Sequence, residues 1–344
     1  MKPPDLKKGV NLGGWLSQYP AFDEHHFDSF IRAEDLRRIA DWGFDHVRLP
    51  VDYPVLEDEQ HPGEYRPGGF ERLDQALAWC RENDLRVILD LHKAPGYAFD
   101  SLGTVSLFRD AAQQDRLLAL WRELARRFGG QQEWVALELL NEIVLKDGSA
   151  WNALYPRLVA EIRREAPESL IVLGGNQYNA ADQLQHLDVL QDERILYTFH
   201  FYNPMVVTHY KAGWVPWLFE YGELVEYPGI APAPAAAFLT QHDPGAYPEL
   251  TPGLRFDRAY LAGLIQPAVE FARTQRVPVY CGEFGVIDQA PLANRIRWTR
   301  DMVSLLREQE IGYGYWSYKA MDFGLVDRDG RLVDRELVDI LTVK

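Results

Sequence analysis

Glu142 follows Asn141 at the end of the apolar run 135–140, and Glu283 ends a second such run, 277–282. An acid at the carboxyl end of each of two buried strands supplies the two groups that glycosidic cleavage needs. One gives and takes a proton, and the other attacks the anomeric carbon or activates water. Cleavage with retention sets the two carboxyl groups about 5–5.5 Å apart, and inversion sets them about 6.5–9.5 Å apart. The two glutamates are remote in sequence, so any such pairing depends on the elements that carry them.

The chain alternates short apolar runs with amphipathic stretches. Strands are expected over 9–12, 46–49, 86–91, 135–140, 170–173, 195–199, 277–281 and 312–316. Helical spacing fits 33–42, 70–83, 113–128, 151–165, 256–274, 291–309 and 335–341. Eight strands with interleaved helices predict a closed (β/α)8 TIM barrel spanning 1–344 as one catalytic domain. An open doubly wound sheet is the structural rival, but the glycines at 9, 13 and 14 lack phosphate-loop spacing. The stretch after the sixth strand, 203–256, is too long for a simple connection and rich in Trp, Tyr and Pro. It reads as an inserted subdomain over the face that carries both glutamates.

Every strand of a parallel barrel points its carboxyl end at one face. That face would collect Arg48, His92, Asn141, Glu142, His200, Tyr202, Glu283 and Trp316. Each has a plainer reading taken alone: Arg48 as a structural ion pair, either histidine as a bonded core residue, Trp316 as packing. Their convergence on one mouth is what argues for a site.

The chain has 344 residues and a formal net charge of −15. That sign disfavours nucleic acid and anionic membranes, whose phosphates it would repel. It suits an uncharged substrate. Two cysteines, Cys80 and Cys281, are too few for a disulfide framework or a zinc site and read as buried free thiols. No window approaches a membrane span. No cofactor or metal is required by the chemistry, and a monomer is expected. The compartment stays open between cytoplasm and export.

The sequence resembles glycoside hydrolase family 5, the cellulase family A type. The resemblance lies in Asn11-Leu12-Gly13-Gly14-Trp15, His46-Val47-Arg48-Leu49-Pro50, His92, Asn141-Glu142, His200-Phe201-Tyr202, Glu283-Phe284-Gly285 and Trp316. Ile143 departs from it, since many members carry Pro there. The resemblance implies a retaining double displacement on a β-glucan polysaccharide or oligosaccharide. Glu283 would be the nucleophile and Glu142 the acid/base. Arg48 and Tyr202 would hold Glu283 ionised, Asn141 would meet the sugar 2-hydroxyl, Trp316 would stack on a sugar face, and His92 and His200 would give hydrogen-bonding support.

Weaker signals accompany these. Asp23-Glu24-His25-His26 invites a metal, but no third ligand is evident and a solvated loop is the plainer reading. Tyr97, Phe99, Asn176, Tyr178 and Asn179 lie on loops that should face the cleft as sugar contacts or loop packing. Lys319 could reach substrate or pair with an acid, and 327–331 reads as a hairpin turn. The expected activity is an endo-β-glucanase acting on β-1,4 and mixed β-1,3-1,4 bonds. The alternatives are a mannanase, a xyloglucanase or an exo-β-glycosidase on the same scaffold, a non-catalytic glycan-binding barrel, and a metal-dependent barrel hydrolase.

Overall fold

The computed structural model describes residues 6–231, 233, 237 and 253–343. The strands are β1 (Lys8–Asn11), β2 (His46–Asp52), β3 (Arg86–Lys93), β4 (Val135–Glu138), β5 (Leu170–Gly174) and β6 (Ile195–Phe201). A two-residue pair, β7 (Gly229–Ile230) and β8 (Arg255–Phe256), is followed by β9 (Val279–Phe284) and β10 (Gly312–Tyr315). All but β7 and β8 close into a parallel barrel in the order β1-β10-β9-β6-β5-β4-β3-β2. The expected eight-stranded barrel is therefore present.

The strand residues divide by their period of two. Ile88, Ala136, Leu170, Val172, Leu196 and Tyr280 form one buried cluster with Leu6. Their strand neighbours Val87, Val135, Leu137, Ile171, Ile195 and Cys281 belong to the larger apolar layer that packs against the helices. Both faces of each strand are buried, which is why these segments read as continuous apolar runs.

The helices are α1 (Glu24–Ser29), α2 (Ala33–Trp42), α3 (Pro67–Glu82), α4 (Ala111–Phe128) and α5 (Ser149–Glu165). After β6 come α6 (Met205–Thr208), α7 (Pro216–Tyr221), α8 (Arg258–Gln275), α9 (Leu292–Glu308) and α10 (Arg335–Thr342). Local chemistry starts several of them. Asp110 accepts from Ala112 N at 2.9 Å, and Asp257 accepts from Ala259 N and Tyr260 N at 3.0 and 3.2 Å. The short link between β5 and β6 holds a 3-10 turn, Ala181–His186. None of the helices among the described residues is long and apolar enough to cross a membrane.

The stretch after β6 is not structureless. Its start, through α6 and α7 to β7, buries Leu218, Val225, Tyr227 and Ala231. It is fastened to α9: Asn294 Nδ2 donates to Val225 O at 2.9 Å, Tyr227 N donates to Asn294 Oδ1 at 3.1 Å, and Tyr227 OH donates to Asp301 at 2.8 Å. Among its described aromatics Tyr210, Trp217, Tyr221, Tyr227 and Phe256 pack inward, while Trp214 and Phe219 stay exposed. Tyr247 and its neighbours lie outside the described residues.

Candidate active site

The site grows from one buried cation. Arg48 lies inside β2, which runs on to Asp52 rather than stopping at residue 49. Its guanidinium is fully buried, and each nitrogen has partners. Nε and Nη2 clasp Glu138 at 2.7 and 2.9 Å. Nη1 donates to Glu283 Oε1 at 2.7 Å and to Asn11 Oδ1 at 3.0 Å. Nη2 donates to Asn141 Oδ1 at 2.9 Å and lies 3.0 Å from Asp90 Oδ2. A planar fork with fixed donors is the group that can hold this many acceptors in register.

Around it the expected residues converge. Tyr202 OH donates to Glu283 Oε2 at 2.9 Å. His200 Nδ1 sits 2.8 Å from Glu142 Oε1 and 3.6 Å from Glu283 Oε2. One oxygen of Glu142, one of Glu283 and one nitrogen of His200 lie within 4.8 Å of one another. His92 Nδ1 meets Asp90 Oδ2 at 2.6 Å, and its ring stacks on Trp316 with planes 7° apart and centroids 5.9 Å apart. Trp316 in turn lies against Gly13. A Cβ there would stand 2.7 Å from the indole, so the β1 end needs glycine to admit the ring.

Glu142 has a φ of +32°, a value that L residues rarely adopt. The surroundings hold it there: Tyr97 OH donates to Glu142 O at 2.6 Å and accepts from Val144 N at 2.8 Å. Backbone strain of this kind persists where neighbours over-determine the conformation, and it aims the side chain at the cleft.

The electrostatics separate the two glutamates. Burial raises Glu142 well above the usual glutamate range, and the nearby Glu283 charge adds to this. Burial raises Glu283 as well, but Arg48, His92 and the Tyr202 hydroxyl all oppose it. Burial, then Arg48 and His92, hold His200 well below its ordinary value, so it is neutral. Burial and Arg48 push His92 down to about 4. Burial pushes Asp90 up to about 7 with the Arg48 guanidinium opposing it.

The eight residues expected from sequence thus meet at one mouth. The structure adds Asn11, Asp90 and Glu138. Two of these left a signal: Asp90 and Glu138 are lone acids inside apolar strand runs, and a buried acid demands a partner. Several weaker candidates make hydrogen bonds within the protein. Tyr97 holds the Glu142 carbonyl, Asn176 Oδ1 accepts from Leu145 N at 2.8 Å, and Asn179 Oδ1 accepts from Gly175 N at 2.8 Å. Lys319 donates to Phe30 O at 2.8 Å, and its ammonium lies over the Phe30 ring. In the Asp23–His26 segment Asp23 caps α1, and His26 Nε2 is 2.7 Å from Gly14 O. Phe99 packs edge-on against His92, and Tyr178 stays half exposed. The turn at 327–331 closes as expected, with Gly330 N donating to Asp327 O at 3.0 Å.

Comparison with known proteins agrees with this geometry. The family model for cellulase (glycosyl hydrolase family 5) matches residues 8–322. Endoglucanase C of Acetivibrio thermocellus is 42% identical, covering 98% of this chain and 98% of its own. Cellodextrinase A of Ruminococcus flavefaciens is 34% identical over 87% of this chain and 81% of its own. Among solved structures, Thermotoga maritima Cel5A in complex with cellobiose superposes with a TM-score of 0.80 at 23% identity, covering 98% of this chain and 97% of that one. On the match of both family and relatives, the chain belongs to glycosyl hydrolase family 5.

Proposed function

We propose that the protein is a retaining endo-β-glucanase in which Glu283 is the nucleophile and Glu142 the acid/base. The observation that carries this reading is the approach of a Glu142 oxygen to a Glu283 oxygen within 4.8 Å. That approach suits the closely spaced pair of a retaining enzyme, in which one carboxylate attacks the anomeric carbon directly. Glu142, held protonated by burial and by its negative neighbour, donates its proton to the leaving oxygen. Glu283, steadied by Arg48 and Tyr202, attacks the opposite face of the sugar. With the aglycone gone, Glu142 accepts a proton from water, and that water releases the glycosyl group from Glu283.

The remaining side chains fit binding of the reacting sugar. Asn141 offers a buried Nδ2 with no protein partner, and its Oδ1 is anchored on Arg48. That leaves two free protons for a sugar hydroxyl, an interaction that strengthens in the transition state. Trp316 offers an apolar face. The described start of the stretch after β6 is read as one wall of the cleft, since it leaves β6 just beyond Tyr202 and rests on α9. The endo-β-glucanase reading draws on the 42% identical relative, Endoglucanase C.

The test is product analysis on carboxymethylcellulose, mixed-linkage glucan and mannan. The expected result is a rapid fall in glucan viscosity with release of reducing ends of β configuration. Release of α-anomers would overturn the retaining assignment. Turnover of mannan alone would move the substrate to the mannanase reading.

A further inference from the structure

We propose that Tyr97 is a positioning residue for the acid/base: its hydroxyl binds the peptide groups on both sides of Ile143 and so aims the Glu142 carboxyl at the leaving oxygen of the glycosidic bond. This rests on the acid/base assignment of Glu142 and deepens it. Tyr97 then governs how well the protein expels a leaving group that needs a proton, without itself touching substrate.

The chain beyond β4 has little of its own to fix the acid. Glu142 stands at a φ of +32°, which local sterics disfavour. The next residue is Ile143, whose φ no ring locks. The Tyr97 hydroxyl supplies the constraint from outside. It donates to Glu142 O at 2.6 Å and accepts from Val144 N at 2.8 Å. One oxygen thus pins the carbonyl before Ile143 and the amide after it. Burial holds the phenol well above its ordinary value, so the hydroxyl keeps the proton that it donates.

Tyr97 is itself fixed. Its N donates to Ala94 O at 2.8 Å, and its O accepts from Ala94 N at 3.0 Å. Its ring packs edge-on against Phe108 with centroids 5.5 Å apart. The turn between Ala94 and Tyr97 needs Gly96, at a φ of +72°, where a Cβ would stand 2.7 Å from Ser106 Oγ. On the other flank, Tyr178 N donates to Ile143 O at 3.1 Å from a left-handed run, Gln177 to Asn179. Asn179 O accepts from His200 N at 2.8 Å, and His200 Nδ1 lies 2.8 Å from Glu142 Oε1. The acid is therefore braced from the β3 side through its backbone and from the β5 side through its backbone and carboxyl. Such bracing is what keeps a proton donor within the narrow geometry that proton transfer needs.

The experiment measures kcat/KM for wild type and Tyr97→Phe on aryl β-cellobiosides whose phenols span weak to strong acids. A ratio between two substrates does not depend on the fraction of protein folded. Tyr97→Phe should lose about tenfold to hundredfold on phenyl cellobioside, the scale of a misplaced general acid. On the dinitrophenyl substrate, whose leaving group needs no proton, the loss should stay within about threefold. The alkaline limb of the pH profile on phenyl cellobioside should also become shallower. Equal losses on both substrates, or no loss on either, would overturn the proposal.

Asn176→Ala frees Leu145 in the same loop and leaves both Tyr97 bonds in place. It should lower stability and keep the wild-type ratio. A ratio shifted as far as in Tyr97→Phe would make general loosening of the loop the cause and count against Tyr97. If Tyr97→Phe does not fold, hydrogen exchange on wild type still decides. The Val144 amide should exchange slowly, and exchange at the rate of an open loop would show that the hydroxyl does not hold it. Failure of the acid/base assignment would show separately, as equal losses on both substrates in Glu142→Ala.

Discussion

At the scale of single residues the site turns on how two like acids are made unlike. Glu142 and Glu283 share burial, but Arg48 and Tyr202 touch only Glu283. In the proposed mechanism turnover needs Glu283 ionised and Glu142 protonated. Both titrate above the ordinary value of 4.5, with Glu142 raised further. The value of kcat/KM should therefore rise as pH climbs past the Glu283 pKa and fall as pH passes that of Glu142. A flat profile measured on an aryl cellobioside would refute this division of roles. Glu283→Ala should abolish turnover with the circular dichroism spectrum unchanged. Glu142→Ala should lose about 10²–10⁴-fold on glucans, the usual worth of a general acid. It should keep most of its activity on aryl glycosides whose leaving group needs no proton. Arg48→Met would strand Glu138, Asp90 and Glu283 without their cation. Breaking a buried network this way costs about 3–5 kcal/mol, read as a lower midpoint in chemical denaturation. Any activity that survives should show its acidic limb moved to higher pH, because the charge that lowers Glu283 is gone.

At the scale of elements, close approach between backbone segments sets where the loops can stand. The start of α3 lies against the turn that follows β2, and a Cβ on Gly69 would come within 1.9 Å of Val55 O. Gly69→Ala must push these two segments apart. The expected cost is about 1–3 kcal/mol, as for other overpacked sites, with kcat/KM per folded molecule little changed. Loss of catalysis without loss of stability would mean that this contact tunes the mouth instead. Sequence patterns located these elements well but misjudged their ends. The run 135–140 reads as one strand, yet β4 stops at Glu138. From there the chain leaves the barrel and turns to a φ of +32° at Glu142. Hydrophobicity cannot report that change, because Leu139 and Leu140 remain buried after the strand has ended.

At the scale of the whole molecule, the stretch after β6 decides whether the protein behaves as one unit. Its hydrogen bonds to Asn294 and Asp301 tie it to a helix of the barrel. Asn294 is fully buried and serves the backbone of this stretch at two points. Asn294→Ala would leave Val225 O and Tyr227 N unpaired, costing about 1–3 kcal/mol for each group left unsatisfied. Thermal unfolding followed by both near- and far-ultraviolet circular dichroism should remain a single coincident transition at a lower midpoint. Two separated transitions would show that 203–256 melts by itself and is not part of the barrel's cooperative core.

The order of strands, the barrel and the eight residues at its mouth were legible in the amino-acid sequence. Strand and helix periods survive in the pattern of apolar residues, and a parallel barrel sends every strand's carboxyl end to the same face. Tertiary structure alone decided which acids touch Arg48. Asp90 and Glu138 lie in different strands, and only the register of β3 with β4 sets them opposite one another, where both reach the guanidinium. It also supplied the loop partners of Tyr97, Asn176 and Asn179. A side chain's partners follow from distances through space, and spacing along the chain carries no record of them.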